Sequence, residues 1–281
     1  MKQGPDFAVV DGLRLSYEVL GNGPVCLVPS PGWGISVDFY RNTFAVLSDI
    51  LTLVFIDTRG SGKSQRPPST KDYRYADMAA DLDGIRRALG AEKVWVLGHS
   101  CGGVLAMRYA LDYPEAMAGL LLIGTFAESD EEYNRDVERR KKLRAHEPWY
   151  KEVDWDSISS DAELAAGLAT ALPLYFYGDP KKHGSVESFL GATYAIHPWK
   201  GWQDSEKCSV HLLDQLYKIR CPVFLSVGEH DFVCSPINSK RIQARIAGAE
   251  LQVIPEAGHF QWLEQPKLFF PAIRRYISEH S

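Results

Sequence analysis

Apolar residues along this chain fall into short runs separated by polar turns. Val94, Trp95, Val96 and Leu97 form one such run. Residues 25–28, 51–56, 120–123, 222–227 and 251–254 form others. Runs this short, rich in β-branched residues and apolar without alternation, predict strands buried on both faces of a parallel sheet. Between them the period changes. Met78, Leu82, Ile85 and Leu89 recur at helical spacing and predict an amphipathic helix over residues 75–89. Further helices are predicted over 38–47, from Cys101 to Tyr113, and over 237–246 and 268–277. Near the start, 7–10 and 13–20 read as strands joined at Asp11-Gly12, a hairpin signal. Strands alternating with helices predict an α/β fold, its sheet mostly parallel and flanked by helices.

The pattern breaks in the middle of the chain. From Glu128 to Tyr217 no buried strand is evident. Charges cluster at 129–144, and aromatics are scattered: Tyr133, Trp149, Tyr150, Trp155, Tyr175, Phe176, Tyr177, Phe189, Tyr194, Trp199 and Trp202. The segment reads as a helical insertion. Because the α/β pattern resumes after it, residues 1–127 and 218–281 are expected to form one core that carries 128–217 as its insertion.

Composition narrows the picture. A chain of 281 residues can bury a large core. Its net charge of −5 gives no reason to expect nucleic acid or an anionic membrane as partner. No apolar run approaches a membrane span, and residues 1–12 lack the apolar stretch of a signal peptide. Five cysteines (Cys26, Cys101, Cys208, Cys221 and Cys234), an odd number without C-x-x-C spacing, argue against a disulfide framework or a zinc site. The expected setting is a reducing cytoplasm.

The chemistry gathers at strand ends. The run 94–97 opens into Gly98-His99-Ser100-Cys101-Gly102-Gly103 and then a helix. A G-x-S-x-G arises by chance in roughly one chain in ten of this length, given ordinary glycine and serine usage. The strand before it and the helix after it carry the specificity. There the serine sits on a sharp turn, and flanking glycines let the two backbones approach. A serine hydroxyl needs a general base, and the base needs an orienting acid. Asp231 follows the strand 222–227, with Glu229 as its rival. His259 follows the strand 251–254. The order Ser100, Asp231, His259 suits a nucleophile–acid–base set on one sheet edge. His230 adjoins the acid and is expected to point elsewhere. His99 and the Cys101 side chain are expected to pack. An oxyanion needs two N–H donors. One is expected from Cys101. Proline cannot donate, so the loop Pro29-Ser30-Pro31-Gly32-Trp33-Gly34 leaves Gly32 or Trp33 for the other, with Trp33 preferred. Both also stand as substrate-binding candidates.

With these residues in view, the chain resembles the α/β-hydrolase superfamily, and in particular the proline iminopeptidase-like serine hydrolases. The likeness rests on Asp57-Thr58-Arg59-Gly60-Ser61-Gly62-Lys63-Ser64, on residues 98–103, and on Tyr113-Pro114-Glu115. It continues through Gly228-Glu229-His230-Asp231, Gly258-His259-Phe260 and Glu264-Gln265-Pro266. The resemblance implies an α/β-hydrolase fold with the insertion as a helical cap, and a serine hydrolase that needs neither cofactor nor metal. It would act through an acyl-enzyme on an ester, lactone or amide of a small, partly hydrophobic molecule or a short peptide. True iminopeptidases hold the substrate amine on acidic cap residues. Here the candidates are Asp154, Asp156, Asp161, Glu163, Asp179 and Glu187. They commonly carry Gly-Gly-Ser-Trp-Gly at the elbow, where this chain has Gly-His-Ser-Cys-Gly. An esterase or lactonase is therefore the first expectation and a prolyl aminopeptidase the second. A ligand-binding relative with slow or no turnover is the alternative from another class.

Overall fold

The computed structural model describes residues 1–32, 34–147, 150–178, 191–205 and 210–281. Strands β1 (Gly4–Val10) and β2 (Leu13–Leu20) form the expected hairpin, antiparallel and turning at Asp11-Gly12. Then follow β3 (Val25–Pro29), α1 (Asp38–Phe44), β4 (Thr52–Ile56), α2 (Tyr75–Ala88), β5 (Val94–His99), α3 (Cys101–Asp112) and β6 (Met117–Ile123). After the middle segment come β7 (Val223–Gly228), β8 (Glu250–Ile254) and their helices. The eight strands make one sheet in the order β1-β2-β4-β3-β5-β6-β7-β8. β2 joins β4 antiparallel, and every later pairing is parallel.

The apolar runs do what their composition requires. Side chains alternate across a strand, so a strand without polar positions must be covered on both sides. Val96, Leu120, Leu122 and Leu225 face one layer, which contains Leu82 and Ile85 of α2 and Val104 and Met107 of α3. Trp95, Leu97, Leu121 and Ile123 face the other. There they meet Phe39, Tyr40 and Phe44 of α1, and Phe269, Ile273 and Tyr276 of the closing helix.

Between β6 and β7 lie α4 (Glu131–Arg144), α5 (Asp161–Ala171) and α6 (Ile196–Ser205), with no sheet strand among the described residues. α5 begins with reciprocal caps. Ser160 accepts the Glu163 N–H, and the Glu163 carboxylate accepts the Ser159 N–H at 2.8 Å. Trp155, Trp199 and Trp202 pack on one another and on Ile158 and Leu164. Tyr175 and Tyr194 turn instead toward the cavity described below. Trp149, Phe189, Asp179, Glu187 and Cys208 lie outside the described residues. The chain closes with α7 (Pro236–Gln243), the one-turn α8 (Gln261–Glu264) and α9 (Pro266–His280). No helix among the described residues is long and apolar enough to cross a membrane.

Candidate active site

The turn after β5 is strained. Ser100 has φ 56° and ψ −126°, a backbone conformation L-residues rarely adopt. Its N–H donates to the carbonyls of Ile123 and Gly124, both at 3.1 Å, while Thr125 Oγ1 donates to the Ser100 carbonyl at 2.7 Å. Neighbouring elements thus hold the strain. A Cβ on Gly98 would strike the Gly102 backbone, and one on Gly103 would strike Thr125. At Gly102 a Cβ would meet nothing nearer than the Ser30 carbonyl at 3.7 Å. The close approach is therefore between Gly98 and the Gly102 backbone, and the further glycine it needs is Gly103.

Asp231 and His259 meet on the neighbouring loops. Nδ1 of His259 lies 2.7 Å from Asp231 Oδ2, with the two side chains 3% and 0% exposed. The other carboxylate oxygen, Oδ1, accepts the N–H groups of Val233 and Cys234 at 2.9 and 2.8 Å. A carboxylate only accepts, so Nδ1 carries the proton and Nε2 is the basic nitrogen. Glu229 is half-exposed, with one oxygen 3.7 Å from His230, and His230 stacks on Tyr177. Neither side chain hydrogen-bonds to or stacks on His259. His99 is buried on the same layer as Trp95 and Leu97. Its Nε2 donates to the His259 carbonyl at 3.1 Å, so its Nδ1 accepts from the Tyr40 hydroxyl at 2.7 Å. Burial, and next the nearby His259, hold its pKa well below the usual histidine range. It braces the His259 main chain as a neutral ring.

Three contributors carried no clear signal in the sequence. Gly124, at φ 44°, is one. A Cβ there would lie 3.0 Å from Asp231 Oδ2 and 3.4 Å from His259 Nδ1. Cys234, fully buried, donates its N–H to Asp231 Oδ1 at 2.8 Å. Burial, reinforced by Asp231, pushes its thiol's pKa well up, so it stays protonated. Glu264 is the third. It stood in a motif without a role.

Ser100 and His259 line one cavity of about 60 Å³, with Pro31, Ile35, Phe39, Leu168, Leu172, Tyr175, Tyr194 and Phe260 among its walls. Gly32, at φ 83°, lies beside Cys101 on a second, smaller cavity. Trp33 lies outside the described residues. The loop around Gly32 is fastened from below. Ser30 Oγ and Thr58 Oγ1 are 2.7 Å apart, and the Asp57 carboxylate accepts the N–H groups of Val37 and Lys63 at 2.8 and 2.9 Å. The motif 57–64 is thereby explained as a brace for the loop after β3.

An eight-stranded, mostly parallel sheet carrying Ser100, Asp231 and His259 on loops at its C-terminal edge defines an α/β protein with an elbow-mounted serine. The chain belongs to the α/β-hydrolase-fold family, whose match runs over residues 24–266, and it is a hydrolase of that family. It is 28% identical to a proline iminopeptidase, PfmaB, of Pestalotiopsis fici, over 98% of this chain and 99% of that one. Among solved structures it is similar to the esterase RhEst1 of Rhodococcus sp. ECU1013 (TM-score 0.77, 23% identity, 99% and 100% of the two chains). It is also similar to the enol-lactonase of Burkholderia xenovorans LB400 (TM-score 0.75, 20% identity, 97% and 100%).

Proposed function

We propose that this hydrolase is a cofactor-independent serine hydrolase that cleaves a small ester or lactone through an acyl-enzyme. The observation that carries the reading is the buried Asp231–His259 pair, 2.7 Å apart, opening on the cavity that Ser100 lines. His259 Nε2 takes the proton as Ser100 Oγ bonds to the carbonyl carbon. The carbonyl electron pair moves to oxygen, where the Cys101 N–H and an N–H of Gly32 or Trp33 receive it. Collapse breaks the bond to the alkoxide, which leaves with the proton from His259. Water then attacks the acyl group, gives its proton to His259, and the proton returns to Ser100. Asp231 holds the imidazole in the tautomer this sequence requires.

The walls support a short apolar acyl group, since the cavity has room for only a few non-hydrogen atoms. The relationship to an iminopeptidase supports a second reading, cleavage after an N-terminal proline. Against it, no carboxylate lines the cavity among the described residues. Asp154, Asp156, Asp161 and Glu163 are all exposed, and three of them have other work, Asp154 by accepting the Asp156 N–H at 3.2 Å. Glu163 caps α5, and Asp161 accepts the Ile196 N–H at 2.7 Å. Rates on p-nitrophenyl acetate, p-nitrophenyl butyrate and Pro-p-nitroanilide, with Ser100→Ala as control, test the proposal. Serine-dependent ester cleavage is expected, with the variant folded by circular dichroism and inactive. Serine-dependent release of p-nitroaniline would favour the aminopeptidase. Binding without multiple turnover would favour a ligand-binding relative.

A further inference from the structure

Glu264 ends α8 with its side chain buried, 8% exposed. Its two oxygens serve two distant segments. Oε2 accepts the Gly258 N–H at 2.8 Å, and Oε1 accepts the Tyr177 N–H at 2.5 Å. Gly258 precedes His259, whose own N–H donates to the Tyr175 carbonyl at 2.6 Å. A Cβ on Gly258 would strike that same carbonyl, so the two stretches lie backbone against backbone. Arg144 of α4 adds donors to the Leu174 and Phe176 carbonyls. Residues 174–177, which supply the wall residue Tyr175, and 258–259 are therefore stitched together above one carboxylate.

We propose that Glu264 is a positioning residue: by accepting the Gly258 and Tyr177 N–H groups on separate oxygens, its ionised carboxylate sets His259 and Tyr175 in register for the reaction. This inference rests on the reading of His259 as the base. Its chemistry is simple. An ionised carboxylate offers two acceptor oxygens, whereas protonation turns one into a donor that faces an N–H. The groups around it oppose one another. Burial pushes Glu264 up, the Tyr177 and Gly258 N–H groups pull it down, Asp231 pushes it up and Arg144 pulls it down, and the balance stands at about 7. His259 itself stands one residue from the clamped Gly258. The clamp consequently forms or loosens within the ordinary working range of a histidine base.

The test is the pH dependence of p-nitrophenyl acetate hydrolysis from pH 5 to 9 by wild type, Glu264→Gln, Glu264→Asp and Ser100→Ala. In wild type the acid limb should fall more steeply than one proton below about pH 7, because protonation of Glu264 adds to the loss expected of a histidine base. Glu264→Gln should lower kcat about tenfold at pH 8 with KM within twofold, and its acid limb should follow a single proton. Glu264→Asp should keep the steep limb at reduced kcat, since its charge remains but its reach is shorter. Wild-type kcat and slope in Glu264→Gln would overturn the clamp. A one-proton limb in wild type would also overturn it, and that measurement needs no variant to fold. Turnover persisting in Ser100→Ala would instead overturn the reading beneath it. An inactive Ser100→Ala beside an unchanged Glu264→Gln would sink the clamp alone.

Discussion

Asp231 is the acid the sequence favours and Glu229, two residues earlier, its rival, and the two stand in different local geometry. Asp231 is fully buried and accepts from His259 and from the Val233 and Cys234 N–H groups. Glu229 faces solvent beside His230. Asp231→Asn keeps the shape but turns an acceptor into a donor, favouring the wrong imidazole tautomer. It should cost on the order of 10⁴ in kcat, while Glu229→Gln should stay within a fewfold. Steady-state kinetics on p-nitrophenyl acetate decide it, and a loss below tenfold for Asp231→Asn would return the role to Glu229. Ser100, Asp231 and His259 were legible as candidates because each stands in the loop that follows an apolar run, where strand ends meet. Gly124 was not. The need for glycine there comes from the Asp231 and His259 side chains brought against it by the sheet, and nothing in its own neighbourhood records that contact.

Elements differ in how much of themselves the sequence declares. The strands were readable because burial on both faces forces uninterrupted apolar runs, and β3 to β7 appear where those runs stand. The middle segment was readable only as helical. Its helices answer to neighbours rather than to a single apolar face. α5 buries Leu164, Gly167 and Ala171, yet its Leu168 and Ala169 line the cavity. No periodicity distinguishes a leucine that packs from one that meets substrate. The distinction has a consequence for specificity. Leu168 lines the cavity that Ser100 and His259 line, so shortening it enlarges the space for an acyl chain. Leu168→Ala should raise the kcat/KM ratio for p-nitrophenyl hexanoate over acetate by about tenfold, because each accommodated methylene contributes roughly 1 kcal/mol. A ratio unchanged from wild type would mean the acyl chain runs elsewhere.

For the whole molecule, the same buried carboxylate links the site to stability. Glu264 is pushed up to about 7 from an ordinary 4.5, chiefly by burial. A carboxyl whose folded pKa lies above its unfolded value binds its proton more tightly when folded. Its favourable contribution is complete below about pH 4.5 and is lost as pH rises through about 7. The shift corresponds to an upper figure of about 3 kcal/mol, so the ionised form that the clamp requires is the less stable one. Glutamine cannot ionise. The stability of Glu264→Gln relative to wild type should therefore increase from pH 5 to pH 8 by a few kcal/mol at most. Other titrating groups cancel in that difference. Urea unfolding of both proteins across this range measures it directly. A difference that stays flat with pH would mean Glu264 keeps one protonation state throughout, and it would count against the clamp's steep acid limb along with the stability effect. A rising difference, together with lower activity in the glutamine variant, would mean the protein holds a charge at a cost to its fold because that charge keeps His259 in place.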